Sequence, residues 1–381
     1  ETVAWVGVLF LLLEVGLEID FSIAWRQRGN AVVIALLDIV VPMIVAFLAV
    51  VFLPDRYMVD PDQRIVFALF MATVMTISAM PVAARGLQDL NLLKAELGFL
   101  VMSALTVNDI IGWALFTILL GVFTQQATSF GAIGFVMAVT IGFTALAFTV
   151  GRRMSTRLFD AVKARDMPEP ATSLTITVLL GLACGAFTQW IGIHALFGFF
   201  IAGVVAGEAR GLSEKTRGVI SQMVHSLFVP LFFANIGLKI DFFPDFDLFL
   251  VLLMCLVGVA GRYLGAWVGV TWSKAQRINR DLIAIAHTPG GMMQIVVALL
   301  AMESGLITPV VFVAIVFSAV FSSVIMGPWM SRSVARRARV SPLDFLRRGN
   351  LVPALHGDNR NEVMRKLAER IAQAAGIGSV E

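Results

Sequence analysis

Asn108 and Asp109 stand side by side near the middle of Leu97–Phe123, an apolar run long enough to cross a bilayer. A carboxylate at that depth costs about 2.5–3.5 kcal/mol or more on insertion scales, so an acid kept there is a functional candidate. An aspartate can hold a proton, or it can hold a partly dehydrated monovalent cation such as Na+ or K+ in company with neutral oxygens. Burial disfavours the free anion, so proton and cation compete for one carboxyl group. With a single acid, one proton leaves as one cation enters, and no net charge moves. Asn108 adds hydrogen-bonding capacity without a second titrating group. Thr106, three residues before Asp109, falls on roughly the same helix face. Thr76, Ser78 and the carbonyls freed near Pro81 are further oxygen candidates.

Two other charges lie deep in apolar runs. Arg262 could balance charge at the Asp109 seat, or snorkel to an interface. Asp38 could steer cations or pair with Arg262, or be a satisfied core acid. The bland alternative for Asp109 itself is a structural pair with Arg262. The remaining polar candidates point elsewhere. Glu14 suits a polar helix contact, and Glu303 a solvated helix end. His194 starts a helix, and His287 could bond a freed carbonyl. Met292 and Met293 suit packing better than metal binding. Cys184 and Cys255, both in apolar runs, make neither a disulfide frame nor a zinc site. No HExxH, GxSxG or nucleotide fingerprint is present, so no enzyme activity, cofactor or nucleic-acid partner is expected.

The elements that must position these groups follow from composition. Of 381 residues 58% are hydrophobic and 14% charged, the balance of a polytopic membrane protein. Eleven segments are candidates to span: Val3–Ile19, Ala31–Leu53, Ile65–Leu87, Leu97–Phe123, Phe130–Val150, Ala171–Trp190, His194–Gly207, Val219–Leu238, Leu248–Trp272, Leu282–Met302 and Ile307–Met330. When the connections are assigned alternately, nearly all loop Lys and Arg fall on one side, and only Arg56, Arg64 and Lys239 on the other. The basic side is therefore cytoplasmic, and the tail lies there too. Two spans are interrupted: the third at Met80-Pro81, the tenth at Thr288-Pro289-Gly290-Gly291. Freed backbone groups in lipid are tolerated only where protein or a watery cavity satisfies them. Paired broken helices point to a transport site.

The chain also repeats itself. VGLEIDF at Val15–Phe21 ends the first span, and IGLKIDF at Ile236–Phe242 ends the eighth; the change of character is Glu18 to Lys239. The copies end on opposite sides, which is an inverted repeat, and it sets the two broken spans opposite each other. The sixth and seventh spans then lack partners. Two further helices are expected before Glu1, thirteen in all. The start at Glu1, without Met or a basic leader, is expected to be internal rather than a signal peptide. Beyond Ser331 the tail is basic. Asn361–Ala375 has helical apolar spacing and reads as a surface or interfacial helix, with the first helix of a soluble regulatory domain as the alternative.

In this order and spacing, five stretches resemble the monovalent cation/proton antiporter superfamily, in the branch of bacterial Na+/H+ exchangers and Kef-type potassium systems. They are FLLLEVGLEID at Phe10–Asp20, LQDLNLL at Leu87–Leu93 followed by VNDIIGW, HALFGFFIAG at His194–Gly203, PLFFANIGLKID at Pro230–Asp241, and TPGGMMQIVVA at Thr288–Ala298. The resemblance implies an all-α inverted-repeat fold with crossing broken helices, a homodimer in the cell (inner) membrane, and roles in ion transport and pH homeostasis. It implies a dimerisation domain from residues 1–30 and 171–246. The implied moving core is 31–123 with 247–331, leaving 124–170 as linker and 332–381 as cytoplasmic tail. The implied activity is exchange of a monovalent cation, Na+ foremost, for H+, with a Kef-type K+/H+ antiporter or K+ efflux system regulated by a cytoplasmic domain as the alternative. Two departures stand out. Electrogenic members carry two adjacent acids where this chain has Asn108-Asp109, and a base in the second broken helix where this chain has Met292, Met293 and Gln294. An Asn-Asp pair resembles the electroneutral exchangers.

Overall fold

The computed structural model describes residues 2–19, 28–124, 130–209, 211–273, 275, 279–338 and 359–375. Asp20 and Phe21 of the first motif copy and residues 339–358 of the basic tail lie outside the described residues. Among the described residues there are helices and connections but no strand. Helices occupy all eleven expected segments. The first is α1 (Thr2–Glu18), followed by α2 (Arg28–Val51). The third segment is two helices, α3 (Arg64–Thr76) and α4 (Met80–Asp89). Next comes α5 (Glu96–Thr124), then α6 (Phe130–Leu146), which runs through a π turn into α7 (Arg152–Ala164). After α8 (Ala171–Trp190) and the short α9 (Ala195–Gly207), the eighth segment is α10 (Glu214–Met223), a second π turn and α11 (Val229–Lys239). The last spans are α12 (Leu248–Trp272), the broken pair α13 (Arg280–Ala286) and α14 (Gly291–Glu303), and α15 (Pro309–Ala338). The tail carries α16 (Arg360–Ala375), where the apolar spacing predicts it.

Among the described residues, by length and composition alone, eight helices can cross a membrane, and the α13–α14 pair, bent by 44°, makes a ninth. The difference from eleven lies in α1 and α9, of which 17 and 13 residues are described as helix. The two motif copies end their helices at the same place, α1 at Glu18 and α11 at Lys239.

Chain contacts divide the protein into residues 1–330 and a tail unit, 331–381. Within the first, α2, α3, α5, α12 and α13 pack as one group, and α1, α8, α9, α10 and α11 as another. The second group is tied together by Arg217, which donates to the carbonyls of Leu17 and Gly207 at the ends of α1 and α9. A cation at two helix C-termini is well placed for their dipoles.

The tightest contact of the first group is α2 against α12. Lipid provides no hydrophobic drive between helices, so small residues that let backbones approach decide such pairs. Gly261, Gly265 and Gly269 form that stripe: a Cβ on Gly265 would lie 2.8 Å from the Leu37 carbonyl oxygen and 3.0 Å from the Asp38 Cα. Gly265→Val therefore forces α2 and α12 apart. It is expected to lower the melting temperature of the detergent-purified protein, at a cost of about 1–3 kcal/mol; a melting curve like that of the wild type would show that the crossing is not close.

Candidate functional site

Both interruptions form as expected, and they lie against each other. The first is not at Met80-Pro81, however. The unwound residues are Ile77, Ser78 and Ala79, and Pro81 sits in the first turn of α4. Proline is tolerated there because the first-turn N–H groups have no intrahelical acceptor. The second break unwinds His287–Gly290, and Gly291 opens α14 with φ +65, a conformation that favours glycine. A Cβ on Gly291 would also run into the Ala79 side chain.

The freed backbone groups are satisfied across the crossing. The Ala79 N–H donates to the Pro289 carbonyl at 2.8 Å, and the Ser78 hydroxyl to the His287 carbonyl at 3.1 Å. Gly290 N–H donates to Ser322 Oγ at 3.0 Å. Thr288 Oγ1 bonds the Ile285 carbonyl, and His287 Nδ1 pairs with the Ile283 carbonyl, as expected for a histidine beside a break.

Arg262 does not snorkel. It is fully buried, with Nη1 donating to the Ile77 carbonyl at 2.7 Å and to Gln294 Oε1 at 3.2 Å, while Nε bonds Gly258 in its own helix. The guanidinium thus caps the carbonyl end of half-helix α3 and also reaches α14. It forms no contact pair with Asp109. Its charge acts on Asp38, without a contact ion pair between them. Gln294, noted in the sequence only for standing where a base was expected, is the acceptor through which α14, the helix after the second break, meets this arginine.

Asp38 and Asn108 meet directly: Asn108 Nδ2 donates to Asp38 Oδ2 at 2.9 Å, both residues 0% exposed. Asp109 is 5% exposed and accepts no hydrogen bond from any described residue; Glu18 and Asp38 are the acids within its electrostatic reach. Met102, Thr106, Asp109 and Trp113 follow at helical spacing along one face of α5. The Met102 end borders a cavity of about 560 Å³, lined also by Glu18, Met80, Pro81, Arg85 and Asp89. Thr106 Oγ1 lies 3.7 Å from Met80 Sδ. At the other end, Trp113 stacks on Phe200 of α9 at 5.6 Å between ring centroids and meets Phe116 edge-on.

A larger cavity, about 760 Å³, shares Glu18 with the first and is lined by Glu14, Arg152, Glu208 and Arg217. Glu14, read from sequence as a helix contact, has His225 Nδ1 3.1 Å from its carboxylate. Thr76 is buried, and its hydroxyl donates to the Thr73 carbonyl one turn back. Ser78 and Thr106 each commit their one O–H and keep oxygen lone pairs. The Asp38–Asn108 bond and the role of Glu18 were missed in sequence. The Gly261-x3-Gly265-x3-Gly269 spacing was the signal that would have set Asp38 against α12.

Comparison with known proteins bears on this arrangement. The profile described as "Sodium/hydrogen exchanger, transmembrane" matches residues 1–336. The chain is 26% identical over 329 residues to the Na(+)/H(+) antiporter NhaS4 of Synechocystis sp., covering 85% of this chain and 79% of that protein. It is 30% identical over 339 residues to Cation/H(+) antiporter 19 of Arabidopsis thaliana, covering 86% of this chain but 41% of the plant protein. The solved structure of the sodium proton antiporter MjNhaP1 from Methanocaldococcus jannaschii shares the fold, with a TM-score of 0.66 at 16% identity over 87% of this chain and 84% of that one.

Proposed function

Since the chain belongs to the sodium/hydrogen exchanger family and is a multi-pass membrane protein, we propose that it is a secondary antiporter exchanging a monovalent cation, Na+ foremost, for H+. The observation that carries this reading is the state of Asp109, which is buried and unbonded by any described residue. It lies on α5 between Thr106, which meets Met80, and Gly112, where a Cβ would lie 3.7 Å from Ile77 at the first break, and on the face whose Met102 end borders a polar cavity. A carboxyl group so placed can hold a proton or a cation but is disfavoured as a free anion. Asp109 carries the exchange; Asn108, Thr106 and Ser78 supply oxygens, with Thr76 the weakest candidate. Arg262 neutralises the carbonyl end of α3, and with Asp38 it balances charge in the seat. One titrating acid makes the exchange electroneutral.

The cavity that borders Met102 lies at the Arg85 end of α4, among the loops rich in Lys and Arg. Under the positive-inside rule that end is cytoplasmic, so the site faces inward while the Trp113–Phe200 stack closes the far side. The same rule places the tail in the cytoplasm of a cell whose inner membrane holds the protein. Alternating access would move 31–123 with 247–331 against a dimerisation domain of 1–30 and 171–246, and two copies would meet through that domain. The tail, 332–381, would serve as a docking element for regulation.

The test is transport by the purified protein in liposomes. An imposed Na+ gradient is expected to drive proton movement at a rate that a K+-independent membrane potential leaves unchanged. Proton flux without any alkali cation, or a rate that follows voltage, would refute the mechanism. The plant relative's name leaves its cation open, so K+ for H+ is the second reading. The same assay with K+, which shares its oxygen ligands with Na+ and differs in the cavity size it needs, separates the two.

A further inference from the structure

Asn108 has one donor end and one acceptor end on its amide. The donor end is engaged: one N–H of Nδ2 donates to Asp38 Oδ2 at 2.9 Å. That bond settles which way the amide faces, and its Oδ1 is left buried with no hydrogen-bond partner among the described residues; Asp38 Oδ1 is likewise unmatched. A purely structural polar pair would close its free ends, since each buried unmatched acceptor costs about 1–3 kcal/mol. These buried unmatched oxygens belong to the chain neighbour of Asp109 and to an acid within its electrostatic reach, and they suit a hard monovalent cation, which takes oxygen ligands and needs no donor.

We infer that Asp38 is a positioning residue of the ion seat, orienting the Asn108 amide so that its Oδ1 joins the cation's oxygen shell as a neutral ligand. The inference rests on the antiport reading above and adds to it a second helix, α2, as part of the ion's recognition. Asp38 is held at the right depth by the Gly265 crossing, where the α12 backbone lies against its Cα. The consequence is specific. Asp109 keeps the proton step, and Asp38 governs cation affinity without itself changing protonation in the cycle.

The experiment compares wild type, Asp38→Asn and Asp38→Glu, each as full chain in liposomes, with Na+ and K+ titrations. In Asp38→Asn the new amide offers its own N–H to Asn108 Oδ1, which consumes or turns away the neutral ligand. The apparent cation KM is expected to rise about tenfold or more with kcat within about threefold of wild type, the signature of lost ground-state binding. Voltage dependence stays absent, because no carried charge has changed. Asp38→Glu keeps an acceptor and recovers part of the affinity. An unchanged KM in Asp38→Asn, or a fall in kcat at constant KM, overturns the inference and leaves antiport standing. If wild type itself moves no protons under alkali gradients, it is the antiport reading that has failed. Stabilisation of the purified protein against heat by Na+ or K+ then decides for Asp38: a shift weakened in Asp38→Asn supports it, and equal shifts overturn it.

Discussion

Asp109→Asn is expected to yield a folded protein that exchanges no cations for protons, with flux at the background of empty liposomes. The amide keeps the shape of the carboxyl group and loses both things the cycle needs, a proton to release and a charge to hold the cation. Nothing in the fold depends on that charge. The carboxylate accepts no hydrogen bond from a described residue and forms no contact pair with Arg262. A buried charge without a partner is a cost, about 2.5–3.5 kcal/mol on insertion scales, so its removal is expected to leave melting temperature unchanged or higher. A loss of exchange accompanied by unfolding would instead mark Asp109 as structural. Exchange that survives in Asp109→Asn would place the ion seat elsewhere. In the wild type, competition for one carboxyl group makes the apparent KM for the cation rise as pH falls, with the maximal rate recovered at high cation concentration.

Arg262→Met is expected to be the most destabilising single change in the group of helices α2, α3, α5, α12 and α13, at about 3–5 kcal/mol, the range for removing one member of a buried charged network. Three losses combine. The Ile77 carbonyl at the end of α3 and Gln294 Oε1 on α14 lose their shared donor. The positive charge acting on buried Asp38 disappears. The first break and α14 lose the side chain that reaches each of them from a third helix. Thermal unfolding in detergent measures this directly, and exchange is expected to fall with it because the crossing no longer holds its shape. Arg262→Lys keeps the charge but cannot reproduce the planar fork, so it is expected to lie between the two. Arg262→Met combined with Asp38→Asn removes opposed charges together and is expected to cost less than the sum of the singles. A melting temperature in Arg262→Met equal to that of wild type would mean that the crossing is held by its backbone bonds alone.

Much of this arrangement was legible because the bilayer permits few solutions. Long apolar runs must be helices, and an Asp or a Pro-Gly-Gly inside one of them is costly in lipid unless a partner or a cavity satisfies it. That logic located Asp109, the second break at Thr288–Gly291 and the helix at 360–375. It placed the first break a few residues late, since Met80-Pro81 draws attention while a proline in a first helical turn disturbs nothing; the chain unwinds instead at Ile77–Ala79. The span count was harder for the same kind of reason. Helix α9 is apolar throughout yet has 13 residues, and its packing against α1 and α8 accounts for its burial; α1 carries Glu14 and Glu18 within its apolar run.

What the sequence determined by itself is the type of each charge and the span that carries it: one aspartate beside an asparagine in mid-span, one arginine and two further acids in apolar runs of other helices, and two interrupted helices; whether Arg262 stays in the core or snorkels was left to the structure. Those properties are local, set by residue type and the length of the surrounding apolar run. The tertiary structure alone decided the pairings. Arg262 bonds Ile77 at the first break and Gln294 one turn into α14 rather than Asp109, and Asp38 takes the Asn108 amide while Asp109 accepts no hydrogen bond from a described residue. Partners 70 and 185 residues apart are chosen by how close two helix backbones can come. At the Gly265 crossing the absence of a side chain, which carries no charge signal in a sequence, makes that choice.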